Sequence, residues 1–363
     1  MKIFLSSIVC GSVCFFASSL TVYSQPLSNK TTTQTKSLFD SDSLLEITIS
    51  GNLQDLFNDR AETPQAHTVT VGYRQQDNIK ITVTAEGKTR GHFRKLKENC
   101  LYPPLQIHFI QSDSLKLSVF KEQDKLKLVM PCQGDDYVIR EWLVYKLYNL
   151  VTPKSFRVRL VKVTINDSKS KKGVAPFYAV FLEEEKQMAR RNNAIAVSKK
   201  LQPDETEKAS FLNMAVFEYM IGNTDWSVQY LQNIKLIAQD SNAVPTVIPY
   251  DFDHAGLVDA PYAKPAEELL MSNVRERRYR GYCIRSISQF DSSIALYNRL
   301  KNNIYAVYTN CTLLDEKFKK TTLKYLDEFY ATINNTGKLQ KEFGYPCNKN
   351  GTGNVVIKGL REE

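Results

Sequence analysis

The sequence predicts an α+β fold in two lobes around a cleft, a β-rich first half followed by a mainly helical one. Three observations predict it. Between Leu45 and about Val129, apolar and polar residues alternate in short runs punctuated by Gly, Asn and Asp, the pattern of half-buried antiparallel strands. At Asp135 the apolar period becomes helical and stays so to Leu150. Beyond Thr206, apolar and amphipathic helical stretches dominate, and strands followed by helices is the order of an α+β chain.

In chain order, residues 1–24 read as a cleavable signal peptide. Lys2 is a short basic region, Ile3 to Leu20 an apolar run, and Ser18, Ser19 and Ser24 are the small residues near a cut at Ser24 or Gln25. Cys10 and Cys14 each follow a Val, which argues against a lipoprotein signal. Residues 25–43, rich in Thr, Ser, Lys and Gln, read as a flexible linker, with folded structure expected from near Leu44. Residues 44–185 form the predicted N-lobe, with strands at Glu46–Ser50, His67–Gly72, Ile79–Thr84, Leu105–Phe109 and Leu126–Val129. One long helix follows from Asp135 and stops before Pro153, then two strands, Phe156–Ile165 and Phe177–Leu182, around a Lys- and Ser-rich turn. Residues 186–345 form the predicted C-lobe. It has an apolar helix Thr206–Ile221 closed by Gly222, short strands Ile234–Ile237 and Thr246–Pro249, and amphipathic helices Ser286–Tyr308 and Leu313–Asn334. Residues 346–363 are a Gly- and Asn-rich tail, and no internal repeat is apparent.

Composition narrows the function classes. The formal charge of +9 falls by one when Lys2 leaves, so the mature chain is drawn to acidic surfaces and nucleotides. No aromatic-interleaved basic stripe or zinc-finger spacing is present, so no nucleic-acid partner is expected. After the leader, charges interrupt every apolar run, so no transmembrane anchor is expected and the protein reads as secreted or periplasmic. Outside the cytoplasm the remaining cysteines, Cys100, Cys132, Cys283, Cys311 and Cys347, allow up to two disulfides. Cys100 with Cys132 is the first pairing to consider, although connectivity is not legible in sequence. A Ser-His-Asp triad, a Rossmann turn and a P-loop are all missing from the motifs.

The densest chemistry lies between Gly222 and Gly256. Gly222-Asn-Thr-Asp225 follows the apolar helix, Asn233 opens one short strand, and Tyr250-Asp251-Phe-Asp253-His254 follows the next. Two carboxylates flanking an amide, each at the end of an element, suit phosphoryl transfer. One Asp orients the attacking hydroxyl and takes its proton, while an Asn and a second Asp hold Mg²⁺ against phosphates. The same residues fit plainer roles: Asp225 after Gly-Asn-Thr is also turn chemistry, and His254 is as readily a satisfied surface histidine as a ligand. The run Val274–Cys283, rich in Arg, reads as a solvated helical face or a site for an acidic group.

These segments, together with Ile139-Arg-Glu141-Trp, Ser155-Phe-Arg-Val-Arg and Phe177–Glu183, resemble the spore-coat CotH kinases and, more distantly, HipA-like kinases, over roughly Gly87 to Gly256. The resemblance implies a bilobal protein-kinase-like fold and an exported protein that binds Mg²⁺ or Mn²⁺ with ATP or another nucleotide, passing phosphate to a protein or glycan hydroxyl. It implies Asp225 as catalytic base and Asn233, Asp251 and Asp253 as metal-binding residues. Lys127, with Lys125 as its alternative, would hold phosphate while paired with Glu141. Arg90 would lie in a phosphate-covering turn Arg90–Arg94 and Glu183 at an acidic hinge. Two departures stand out. Asn233 comes eight residues after Asp225, which requires a small insertion or a part for Gln229, and Asp251-Phe-Asp253 replaces the usual Asp-Phe-Gly. Two rival readings stay open: an inactive pseudokinase scaffold, suggested by the scarcity of ATP outside the cytoplasm, and a metal-dependent hydrolase using Asp225, Asp251, Asp253 and His254.

Overall fold

Alternating apolar side chains in the first half turn inward around a closed surface. The structure, a computed structural model, describes residues 36–75, 78–170, 173–284 and 286–344. The signal peptide read over 1–24, the start of the linker and the tail read over 346–363 lie outside the described residues.

Strands β1 (Leu45–Gly51), β2 (His67–Arg74), β3 (Lys80–Thr89), β4 (Leu105–Phe109), β5 (Lys125–Val129), β6 (Val158–Asp167) and β7 (Phe177–Leu182) form a barrel in the order β1-β2-β3-β4-β5-β7-β6. Neighbours are antiparallel except β1 and β6, which run parallel from Leu45↔Val161 to Gly51↔Asp167 and close the barrel. Ile47, Val71, Val83, Ile107, Leu128 and Phe181 fill its interior. Phe120 stacks on Phe109 with ring centroids 4.7 Å apart. The short helices α1 (Leu53–Asn58) and α2 (Asp113–Lys116) lie in connections around the barrel.

Strands β6 and β7 are buried on both faces. Val161, Val163, Ala179 and Phe181 face the barrel core, while Val158, Leu160, Val180 and Leu182 belong to a second core built on helix α3 (Asp136–Val151). That double burial explains why Phe177–Leu182 reads as an unbroken apolar run. After α4 (Glu185–Arg191) come β8 (Ile195–Val197), the almost wholly buried helix α5 (Lys208–Ile221), and the hairpin β9 (Ile234–Ala238) and β10 (Thr246–Pro249). These three strands form a second antiparallel sheet, β10-β9-β8. Helices α6 (Asp291–Thr309), α7 (Glu316–Ile333) and α8 (Thr336–Phe343) complete the second core.

The bilobal, protein-kinase-like arrangement expected from sequence is therefore overturned, although the fold is α+β. The β-rich part is a closed seven-stranded barrel, and the later half has a sheet of its own beside its helices. Alternation reports which face of a strand is buried but not its neighbour. Here β6 covers the edge of β1 that an open sheet would leave as a row of unpaired backbone groups. Packing also begins ahead of Leu44, inside the stretch read as linker. Leu38 is buried in the barrel core, and the Arg159 guanidinium donates to the carbonyls of Leu38 (3.0 Å) and Ser41. Cys100 and Cys132 are disulfide-bonded, as the sequence suggested. Among the described residues, no helix is long and apolar enough to cross a membrane.

Candidate active site

Local geometry explains why distant segments meet. In β5, Leu126 and Leu128 enter the barrel, so the two-residue period turns Lys125, Lys127 and Val129 outward. Lys125 is exposed, whereas Lys127 is half-buried and places its Nζ 3.3 Å from Asp251 Oδ2. Of the two lysines, Lys127 is the one that reaches Asp251. Asp251 lies just past β10 and Asn233 just before β9, and because the hairpin is antiparallel both come to the same end. The Tyr250 N–H donates to the Asn233 carbonyl (3.0 Å) and holds that end together.

Asp225 arrives from the end of α5. Gly222 stops the helix in the left-handed region at φ 70°, and a Cβ there would stand 2.2 Å from Tyr325 Oη, so only glycine fits this close turn. The Asp225 N–H then donates to Asn223 Oδ1 (3.0 Å), and the Gly256 N–H donates to the Gly222 carbonyl (3.1 Å), which ties the Asp225 turn to the segment after Asp253. The eight-residue spacing to Asn233 is taken up by a tight turn, closed by mutual backbone hydrogen bonds between Ser227 and Gln232 at 2.9 and 3.0 Å. Asn233 Nδ2 donates to Asp225 Oδ2 (3.0 Å) and to the Asp225 carbonyl (2.7 Å). Gln232, not Gln229, reaches the other carboxylate oxygen at 3.4 Å.

Arg94 and the buried acids Glu141 and Asp253 form a second group beside the first. The Arg94 guanidinium lies 3.5 Å from Asp253 and 3.9 Å from Glu141, and the Tyr262 hydroxyl donates to Asp253 at 3.1 Å. The expected pairing of Lys127 with Glu141 is not formed. Lys127 takes Asp251, and Arg94 takes Glu141, because Arg94 enters from the β3–β4 connection with a second donor on the Met130 carbonyl. Arg90 is near enough to help hold the Asp251 carboxylate ionised. Glu183 stands apart. Its carboxylate accepts from Arg191 at 2.9 and 3.0 Å and from the Arg157 N–H at 2.8 Å, which makes it a clasp between β6, β7 and α4.

The electrostatics separate the acids. Burial pushes Asp251 up, but Lys127, Arg94 and Arg90 outweigh it and hold its carboxyl below the usual range. Asp225 is raised by burial and by Asp253 and Asp251, with His254 opposing, which suits a group that must accept a proton. Burial and the neighbouring Asp253 and Asp251 push Glu141 up to about 8. For Arg94, burial opposes the charge, but Tyr262, Asp253, Glu141 and Asp251 more than offset it.

A pH test follows from Glu141. The folded chain retains this proton at pH values where the unfolded chain has released it, so its contribution to stability falls as pH rises from the ordinary 4.5 to about 8. In metal-free buffer, Glu141→Gln is expected to flatten the fall in unfolding temperature across that window. Parallel pH profiles of variant and parent would show that Glu141 titrates normally.

Sequence reasoning missed Tyr262 and Gln232, which carry no motif. It also misread the Arg run: among Val274–Cys283 there is no helix, and Arg277 and Arg280 donate to the carbonyls of Met220 (3.2 Å) and Trp226 (2.8 Å), clamping the turn that carries Asp225. A cavity of about 900 Å³ bounded by Phe39, Trp142, Lys146, Arg157 and Leu313 lies elsewhere, and none of the expected site residues lines it. The convergence of charge, not this cavity, marks the candidate site. Among known proteins, no family model and no curated sequence matches the chain.

Proposed function

We propose that the chain transfers phosphate from a nucleotide, bound with Mg²⁺ or Mn²⁺, to the hydroxyl of a protein or glycan. The observation that supports this reading is the convergence of Asp225, Asn233 and Asp251 from three element ends, with Lys127 3.3 Å from Asp251. The donor set fits a hard cation. Asp251 is held ionised, and Asn233, by giving its Nδ2 to Asp225, turns its amide oxygen elsewhere; two such oxygens, completed by phosphate and water, suit Mg²⁺. When bound, the ion supplies charge neutralisation at the phosphates. Lys127 then holds a phosphate oxygen, and Asp225 orients the acceptor hydroxyl. As the acceptor oxygen bonds to phosphorus, its proton passes to Asp225, the bridging P–O bond breaks and its electron pair leaves on the nucleoside diphosphate. The Cys100–Cys132 disulfide and the disulfide-bonded state of Cys283 support a secreted or periplasmic location.

A binding module without turnover is the second reading, and one observation favours it. Arg94 already neutralises Asp253, one of the expected metal-binding residues. The hydrolase, which needs Asp225, Asp251, Asp253 and His254 as one ligand set, draws no support from that geometry.

The test is thermal unfolding of the chain without residues 1–24, with nucleoside triphosphates in Mg²⁺, Mn²⁺ or a chelator. At ligand about 100-fold above Kd, a stabilisation of about 2.7 kcal/mol, seen as a rise of several degrees, is expected only with metal. Labelled phosphate appearing on an acceptor completes the case. A shift without transfer selects the binding module, and no shift with any nucleotide removes both.

A further inference from the structure

The connection between β3 and β4, Arg90 to Pro104, is firmly held yet leaves its apolar side chains in water. The Cys100–Cys132 disulfide staples it to the segment after β5. Arg60 donates to the carbonyls of Lys95 (2.9 Å), Cys100 (3.0 Å) and Leu101 (2.6 Å), Asn99 Nδ2 to that of Phe93 (2.8 Å), and Lys95 Nζ to that of Ala61 (2.7 Å). A loop pinned this way has already lost its conformational freedom, which is the cost a binding surface otherwise meets on association. Within it Phe93, Leu96 and Leu101 are 44%, 45% and 66% exposed. Single exposed apolar residues are ordinary, but three in nine residues of a fixed loop make a patch. The Leu96 N–H donates to the Phe93 carbonyl (3.3 Å) and the Cys100 N–H to the Leu96 carbonyl (3.1 Å), so successive turns fix the backbone that carries the three side chains.

The patch borders the candidate site. The Phe93 ring lies 5.7 Å from that of Tyr262, which hydrogen-bonds Asp253, and Arg94 of the same loop reaches Asp253 and Glu141. Its exposed charge is mainly positive: Lys88 and Lys97 are exposed and Arg90 is half-buried, against the exposed Glu98, while Arg94 and Lys95 turn to partners within the fold.

We infer that this loop is the docking ledge for the phosphate acceptor, and that the acceptor is an acidic polypeptide bearing large apolar side chains. As an acceptor surface it rests on the phosphoryl-transfer reading; as a peptide-binding surface it is measured without nucleotide. The probe is a pool of labelled peptides of random Asp, Glu, Phe, Leu and Ser composition, compared with a pool in which Lys and Arg replace the acids, in fluorescence anisotropy. The parent chain is expected to bind the acidic pool and ignore the basic one. Lys97→Glu with Leu101→Ser should weaken that binding at least about tenfold while leaving the unfolding temperature and any nucleotide shift unchanged. Equal binding of both pools, an unaffected double variant, or binding to phosphatidylglycerol vesicles in place of peptide each overturns the ledge. A missing nucleotide shift with intact peptide binding removes the transfer chemistry alone, and an intact shift with no peptide binding removes the ledge alone.

Discussion

Asp251→Asn is expected to abolish the metal-dependent stabilisation by nucleotide, while Asp225→Asn keeps it and loses transfer. Asp251 sits at φ 63°, in the left-handed region, where a non-glycine residue is costly. Its N–H donates to Tyr145 Oη at 2.8 Å, and its carboxylate is held ionised by three cations despite burial. Alanine there would mix loss of a ligand with backbone strain. Asparagine tolerates the left-handed region and removes only the charge, so it is the cleaner variant. Altering even a group behind a metal ligand weakens metal binding about 10- to 100-fold, so loss of the ionised oxygen itself should cost about a hundredfold or more. Asp225, by contrast, is not paired with Lys127, and asparagine in its place keeps a side-chain oxygen to accept from Asn233 Nδ2, so the orientation of that proposed ligand survives. Its conversion to asparagine should lower the transfer rate about 10²- to 10⁴-fold, the range for a general base, with the thermal shift intact. An Asp251→Asn protein that still shows the full metal-dependent shift would place the cation elsewhere and end the proposed chemistry.

Much of the site was legible because its residues lie at element ends, where short sequence patterns are strongest. Gly222 marked the end of α5, and the polar residues flanking the β9–β10 hairpin marked its open end. What periodicity could not reveal was partnership. The closure of β1 on β6 joins residues more than a hundred positions apart, and nothing in either strand's alternation names the other. The same limit explains the charge pairs. Glu141 and Lys127 were visible as candidates, but which cation reaches which acid depends on a loop that has no period. Arg94 is one of five basic residues between Lys88 and Lys97, and sequence does not say which of them turns inward. Glu183 erred in the opposite way: its acidity was visible, but Arg191, eight residues on in α4, already satisfies it.

Arg94→Met should be the most destabilising of the site substitutions. Removing one partner from a buried ion pair usually costs about 3–5 kcal/mol, since the other charge stays buried without compensation. Two features place Arg94 near the lower end, about 3 kcal/mol on that scale. Glu141, already pushed up to about 8, can answer the loss by keeping a proton, and Asp253 retains the Tyr262 hydroxyl at 3.1 Å. Near pH 6 Glu141 is mostly neutral, so the charge left stranded is that of Asp253. A second change, Asp253→Asn, should therefore recover most of the loss in denaturant unfolding at that pH, and the recovery should shrink above pH 8, where Glu141 must also be neutralised. If Arg94→Met unfolds at the parent's midpoint, the guanidinium does not carry the charge of this group, and Asp253 becomes available to a bound cation instead.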